Sequence, residues 1–554
     1  MDSSRARTTV LQVDGMTCDD CARHVTAALE GAGAGQVSVA WRAGQARFSW
    51  PEEIGEGDLR AAVTAAGYRP GALRPAAEAS GSPAAAGAAG TDFDLVVLGA
   101  GSAAFAAAIT ATEAGYRVAL AEQGMLGGTC VNVGCVPSKA LLRAGEQAWA
   151  AGHHPFAGLA TASGPVDLAA LVAQKDALVG ELRQKKYADL AESYGFEVLP
   201  GRARFTGPGE LDISGHPVRA GSYIIATGAS PAAPPVPGLD GAGYLTSTTA
   251  LDLKQLPRRL VVLGANAIGL ELGQFFLHAD TQVTFLDIAD RIAPFEEPEV
   301  SAALTQVLTD QGAVIHAGAQ VLGVRRDGGQ VRVTARVNGR QLDITAEEIL
   351  VATGRRPNTA GLGLDAAGVA AGPRGEVAVD AELRTANPRV LAAGDVTGAP
   401  QFVYVSAYQG ALAARNALLG RHEHVDLAGL PRVIFTAPQV AAAGLTEAQA
   451  RADGHDVAVS VLPLDAVPRA LVNHDTRGVV KLVSEQASGR LLGASVVADG
   501  AGDVIQSAVL AIRHGITVQE LAATFHPYLT MAEGIKLAAQ GFSRDVSKLS
   551  CCAA

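Results

Sequence analysis

Two Gly-rich strand–turn–helix–strand units in one chain predict an α/β protein with two Rossmann-like dinucleotide-binding domains. Alternating apolar runs after about Leu430 add an antiparallel sheet with helices, a C-terminal α+β domain. A strand–helix–strand–strand–helix–strand pattern at the start adds a small ferredoxin-like βαββαβ domain.

The elements follow in order. "TTVLQV" alternates apolar and polar residues, and "CARHVTAALE" has helical spacing. "QVSVAWR" and "QARFSW" read as a hairpin with a Gly-containing turn. "DLRAAVTAAGY" is a second amphipathic helix, and a weak strand near "YRPGALR" closes the module. "PAAEASGSPAAAGAAGT" is low-complexity with a single charge, so it reads as a flexible tether. The main body opens with "FDLVVLGAGSAAFAAAITATEAGYRVALAEQ": buried strand, Gly-rich turn, small-residue helix, second strand. A near-copy follows at "RLVVLGANAIGLELGQFFLHADTQVTFLD". "PRVIFTAPQVAAAGLT", "GVVKLVSE" and "GRLLGASVVA" carry the final sheet. The expected boundaries are 1–74, a linker at 75–91, a first nucleotide domain at 92–232 resuming at 357–430, a second at 233–356, and a last domain at 431–554.

Composition excludes several classes. The chain has 554 residues, 48% hydrophobic and 18% charged, which suits large globular cores. A net charge of −11 without a dense Lys/Arg run argues against nucleic acid and against stable membrane association. "MDSSRARTTV" lacks the apolar stretch of a secretory signal, and no run is long enough to span a bilayer. A cytoplasmic protein is expected.

In "GAGSAA", Gly99 and Gly101 stand where a strand turns into a helix. Glycines let the backbone approach a pyrophosphate, which rests at the helix N-terminus. Ala104, in place of a last glycine, still permits close helix packing. Glu122 ends the next strand and can accept from ribose hydroxyls. In the second unit Gly264 and Gly269 bound the turn, with Asn266 at the middle-glycine position. Its strand ends in Asp287, eighteen residues past Gly269. An acid there accepts from the 2′-hydroxyl of NADH and repels the 2′-phosphate of NADPH. Arg291 is the nearby cation that would favour the phosphate.

The six cysteines form three close pairs: Cys18/Cys21, Cys130/Cys135 and Cys551/Cys552. This is no secreted disulfide framework, and close pairing points to redox chemistry or soft-metal binding. Cys130 and Cys135 lie five apart, with Pro137 and Lys139 opening an apparent helix. A helix N-terminus and a nearby cation both stabilise thiolate. Zinc would want four ligands, and no second pair lies close in sequence. Cys18/Cys21 reads either as a soft-metal transfer site or as a thioredoxin-like redox pair. The two aspartates between them raise thiol pKa, which suits a redox nucleophile poorly. Adjacent Cys551 and Cys552, near the terminus, are too close for a routine disulfide.

"GTCVNVGCVPSK" resembles the redox-disulfide segment of the flavoprotein disulfide reductases. The resemblance continues through "IIATGA", "VLGANAIGLELG", "VATGRRPN" and "VLAAGDVTG", and covers residues 92–554. It implies FAD and NADPH or NADH as cofactors. It implies that Cys135 abuts the flavin, that Cys130 exchanges with substrate, and that Lys139 lies by the flavin N5 and pairs with Glu271. Asp395 would bind the ribitol, and Ala203 would contact the adenine end through its backbone. Gly124, Thr129, Gly228 and Val403 complete the flavin-side set.

Three features resemble the mercuric reductases within that family. "DVSKLSCCAA" is similar to their metal-delivering tail, Tyr187 and Tyr528 match positions that flank the metal, and "VDGMTCDDCARHV" resembles the soft-metal domain of metallochaperones. The resemblance implies Hg(II) and its thiol adducts as substrate, with Cys18, Cys21, Cys130, Cys135, Cys551 and Cys552 as ligands. It further implies a homodimer whose active sites are shared between subunits. NADPH is that family's usual reductant, so resemblance and Asp287 point different ways. His526 precedes a proline as in the disulfide reductases, but Met531 stands where their partner acid falls and the nearest acid is Glu533. A packed role and a proton-transfer role both remain open for His526. A lipoamide-type disulfide reductase and a non-enzymatic metal-sequestering protein stand as alternatives.

Overall fold

The computed structural model describes residues 7–16, 19–41, 44–51, 54–75 and 91–548. Cys18, Cys551, Cys552 and most of the tether lie outside them. Among the described residues no helix is long and apolar enough to cross a membrane.

The N-terminal module comprises β1 (Arg7–Asp14), α1 (Asp19–Gly31), β2 (Gly35–Ala40), β3 (Gln45–Trp50), α2 (Glu56–Ala65) and β4 (Arg69–Pro75). Its sheet order β2-β3-β1-β4 is ferredoxin-like. Strand alternation aims Leu11, Val13 and Phe48 at the helices, where they bury with Val25, Leu29, Leu59 and Val63. Cys21 sits half-buried in the first turn of α1.

The first nucleotide unit is a parallel sheet. Its strands are β5 (Phe93–Leu98), β6 (Val118–Glu122), β7 (Glu197–Pro200), β8 (Ala220–Ile225) and, far along the chain, β13 (Val390–Ala392), ordered β13-β8-β5-β6-β7. Leu95 to Leu98 form an unbroken buried run, as a strand covered on both faces requires. Helix α3 (Ser102–Glu113) covers one face and packs on α9 (Val403–Leu418). The backbones meet so closely that a Cβ on Gly410 would lie 2.0 Å from the Ala103 carbonyl oxygen. Between β6 and β7 run α4 (Gly128–Val133), α5 (Cys135–Gly152) and α6 (Leu168–Arg183), the last ending in a π-helical turn, Gln184–Ala188.

The second unit repeats the plan with β9 (Arg259–Leu263), α7 (Ala267–His278), β10 (Gln282–Leu286), α8 (Pro298–Asp310), β11 (Val314–His316) and β12 (Glu348–Val351). The parallel order is β11-β10-β9-β12. Sequence reading had not resolved two antiparallel three-stranded sheets, one at Ala203–Val218 and one at Gln320–Ala346. Their strands are solvated on one face, and those of the first sheet are also short, so they leave no long apolar run.

The C-terminal unit has β14 (Pro431–Ile434), β15 (Gln439–Gly444), β16 (Val457–Pro463), β17 (Val479–Glu485) and β18 (Leu491–Ala498). They form an antiparallel sheet, β14-β15-β18-β17-β16, with α10 (Ala501–His514) and α11 (Glu533–Gln540) packed against it. A buried charge cluster joins this sheet to the second nucleotide unit. Lys481 of β17 donates to Glu297 at 3.0 Å and Glu299 at 3.0 Å, both at the start of α8, and to Glu447 at 2.9 Å. Removing one partner of such a cluster strands the others without compensation. Lys481→Ala should cost on the order of 3 kcal/mol and lower Tm in calorimetry. An unchanged Tm would show that the cluster does not hold the seam.

Candidate active site

The site grows from the first Gly-rich turn. Gly99 has φ +113°, and a Cβ there would lie 2.5 Å from the Ala226 carbonyl oxygen, so only glycine fits. Gly101 caps α3 without a side-chain bond, which leaves the first amides of the helix available to an anion. Gly127 N donates to the Ala100 carbonyl at 2.8 Å, so the loop carrying the cysteines is bonded directly to this turn. A Cβ on Gly128 would lie 2.7 Å from Gly101 Cα. The approach of two backbones here sets where α4 begins, and hence where Cys130 sits.

Gly134 breaks the chain between α4 and α5. The sequence suggested one helix start; the structure has two helices. The break faces Thr129, whose carbonyl oxygen would lie 2.8 Å from a Cβ at Gly134. It folds Cys135, the first residue of α5, back onto Cys130, and both thiols are unbridged. The Cys130 thiol donates to Cys135 and holds its pKa down to about 6, helped by the Lys139 charge one turn along α5. Burial and the Glu271 carboxylate oppose this. The same hydrogen bond, with burial and the Cys135 charge, pushes Cys130 strongly upward. The pair is therefore one thiolate and one thiol at neutral pH.

Lys139 Nζ lies 2.6 Å from Glu271 Oε2 on α7. Glu271 Oε1 accepts from Phe435 N at 2.9 Å, just past β14, and Lys139 stands 4.6 Å from the Phe435 ring centroid. Tyr187, on the π-helical turn, packs edge-on against Phe105 at 4.8 Å. Burial raises its pKa, the charges of Cys130 and Cys135 raise it further, and a hydrogen bond with Ser102 opposes them. The structure thus brings Tyr187 to the pair.

The remaining expected residues fall into two groups. Near the first turn, Glu122 Oε1 accepts from Gly124 N at 2.7 Å. Ala104 is fully buried in α3. Gly201 N donates to the Glu122 carbonyl at 2.8 Å, which sets Ala203, the next strand's first residue, beside β6. Gly228 accepts from Asn358 N at 2.9 Å, and Val403 opens α9. Asp395 accepts from Ser406 Oγ at 3.2 Å; burial raises its carboxyl pKa, and Arg355 opposes that. The left-handed turn at Gly99, the uncapped α3 amides, Glu122 and buried Asp395 together suit the pyrophosphate and hydroxyl groups of a flavin dinucleotide. In the second unit, Asp287 accepts from Ala265 N at 2.5 Å and Ala289 N at 2.8 Å.

His526 and Tyr528 lie on the C-terminal unit. Tyr528 is 56% exposed, and His526 Nδ1 is 3.1 Å from the Thr524 carbonyl. Glu533 Oε2 is buried without a hydrogen bond, burial raises its pKa, and the Lys536 and His526 charges oppose the rise. An acid seven residues on is thus within electrostatic reach of His526, although the usual position holds Met531.

Sequence reasoning missed Arg355, Tyr404 and Phe435. Burial lowers the Arg355 pKa against the opposing charges of Asp395 and Cys135, and burial pushes the Tyr404 hydroxyl up to about 12, with the Cys135 charge adding to the rise and Arg432 opposing it. Arg355 lay in plain view in "VATGRRPN".

The fold and thiol pair define a pyridine nucleotide-disulphide oxidoreductase, whose family model matches residues 93–410. The dimerisation domain of that family matches residues 430–539, and a heavy-metal-associated domain matches residues 10–69. The chain belongs to the mercuric reductase family of these FAD- and NAD(P)H-dependent enzymes. It is 48% identical to the mercuric reductase of Staphylococcus aureus over 98% of both chains. It is 48% identical to that of Bacillus cereus over 98% of this chain and 86% of the relative. It is 50% identical to that of Streptomyces lividans over 84% of this chain and 99% of the relative. Among solved structures, the HOCl-induced flavoprotein disulfide reductase RclA of Escherichia coli aligns with a TM-score of 0.72 at 32% identity, over 81% of this chain and 99% of that one. LpdA of Mycobacterium tuberculosis aligns with a TM-score of 0.72 at 28% identity over the same shares.

The charge arrangement has a direct readout. Alkylation of the reduced protein by iodoacetamide should rise with pH through a midpoint of about 6 as Cys135 ionises. Lys139→Met removes a charge that lowers this pKa, so the midpoint should move upward. A midpoint that stays put would show that the Lys139 ammonium does not act on Cys135.

Proposed function

We propose that this chain reduces Hg(II) to Hg(0) with NAD(P)H and so detoxifies mercury. The carrying observation is the union, in one chain, of a heavy-metal-associated module with a thiolate–thiol pair set on a flavoprotein fold. Hg(II) is soft and prefers two thiolates over nitrogen or oxygen ligands. FAD, when bound at the first unit, supplies the two-electron relay between NAD(P)H and the thiol pair. The residues do the rest. Cys135, already a thiolate, displaces one external thiolate from Hg(II), a different order from the resemblance, in which Cys130 is the sulfur that exchanges with substrate. Cys130 then displaces the second, and its proton leaves with the departing thiol. Lys139, fixed by Glu271, keeps positive charge beside the pair while the metal is held. Tyr187 walls the site, and its raised pKa keeps it a neutral donor. Hg(0) binds thiolate poorly and departs.

Tyr528, His526 and the Cys551/Cys552 tail act from the partner subunit in this reading. The family's dimerisation domain and the exposed Tyr528 support it. Cys18/Cys21 collects the ion, Cys551/Cys552 delivers it, and Cys130/Cys135 holds it for reduction. The enzyme works in the cytoplasm, where NAD(P)H is made.

Hg(II)-dependent oxidation of NAD(P)H by the purified protein tests the function. Turnover with Hg(II) and little with lipoamide is expected; the reverse would make it a disulfide reductase, and neither would leave metal sequestration. The tail has its own test. Replacing Cys551 and Cys552 by Ala should sharply lower Hg(II) turnover under excess glutathione and leave flavin reduction nearly untouched. Full turnover under those conditions would remove the delivery role.

A further inference from the structure

We infer that the second nucleotide unit selects NADH over NADPH, with Asp287 as the specificity-determining side chain. The inference rests on the oxidoreductase reading but not on mercury.

Asp287 follows the last residue of β10, where the adenosine ribose of a bound dinucleotide lies in such units. Its carboxylate is pinned from both sides. One oxygen accepts from Ala265 N in the Gly-rich turn at 2.5 Å, and the other from Ala289 N at 2.8 Å. Its main chain is equally fixed: Asp287 N donates to the His316 carbonyl at 3.1 Å, and Ala319 N donates to the Asp287 carbonyl at 2.8 Å. The charge cannot swing away without giving up two amide bonds. A ribose 2′-hydroxyl can donate to this carboxylate, which retains unused lone pairs. A 2′-phosphate would instead meet a fixed like charge.

The cation that would reverse this is committed elsewhere. Arg291 Nη2 donates to the carbonyls of Pro294 and Glu296, both at 2.9 Å, which ties the guanidinium to its own loop. Asp290 beside it adds negative charge to the same loop. A 2′-phosphate site needs an arginine facing the ribose. Here the acid holds that place, and the arginine braces the chain leading into α8.

The test uses the purified holoenzyme without Hg(II). Isothermal titration of the oxidised protein with NAD⁺ and NADP⁺ reads the adenosine end directly. Anaerobic bleaching of the flavin by NADH and NADPH reads the productive complex. NAD⁺ should bind at least about tenfold tighter than NADP⁺, and NADH should reduce the faster. Asp287→Asn keeps an acceptor for Ala265 N but removes the charge, and should narrow the ratio by strengthening NADP⁺ binding. Arg291→Ala should leave the ratio as it is. Equal or tighter binding of NADP⁺ by the unaltered protein, or selective loss of NADP⁺ binding in Arg291→Ala, would overturn the inference while leaving the oxidoreductase reading intact. Binding of neither dinucleotide would overturn both.

Discussion

Three parts of the molecule meet at one ion pair. Lys139 comes from the helix that begins at Cys135, Glu271 from the helix of the second nucleotide unit, and Phe435 N from the edge of the C-terminal sheet. The carboxylate uses one oxygen for the ammonium and the other for the backbone amide. Its relative exposure is only 6%, so the charge needs both partners. The same pair tunes the thiols: the Cys130 hydrogen bond lowers the Cys135 pKa most, Lys139 lowers it further, and Glu271 partly offsets this. A packing device that orients three domains thus also adds to the ionisation of the reactive sulfur that the Cys130 hydrogen bond favours most.

The cluster around Lys481 follows the same logic farther from the chemistry. There too a buried charge reaches across the seam between the second nucleotide unit and the C-terminal sheet. Two charge-bearing seams restrict how these parts settle against each other, because a wrong register would bury an unpaired ion. Apolar contacts at the same seams, such as Val300 and Leu304 against Val479 and Val497, supply area without that selectivity.

What the sequence disclosed, and what it withheld, divides by distance along the chain. Gly99, Gly101 and Glu122 were legible because a tight turn, a helix start and a strand end are local events. The cysteine pair was legible for the same reason: a spacing of five with a glycine between needs no tertiary knowledge. Lys139 and Glu271, 132 residues apart, were paired only through the family resemblance. Phe435, 164 residues from Glu271, contributes a backbone amide, and no side-chain pattern records an amide. Arg355 and Tyr404 feel the Cys135 charge through space alone, and their neighbours in sequence are ordinary strand and helix residues. The antiparallel sheet at Gln320–Ala346 escaped notice because its strands are half-exposed and intersperse charged residues among the apolar ones.

The asymmetry of the cysteines bears on why a metal and a disulfide are both workable substrates for this architecture. Attack on either requires a thiolate that exists at neutral pH and a second sulfur that joins later. A hydrogen bond between the two sulfurs provides both, since the bond that lowers Cys135 raises Cys130. Once Cys135 takes on a soft cation its charge is satisfied, and the reason for Cys130 to keep its proton disappears. Capture of the first ligand position therefore prepares the second. A linear two-thiolate complex is then reached without any external base at the pair. The surroundings bear on which substrate arrives: Tyr187, packed edge-on against Phe105, narrows the site on one side.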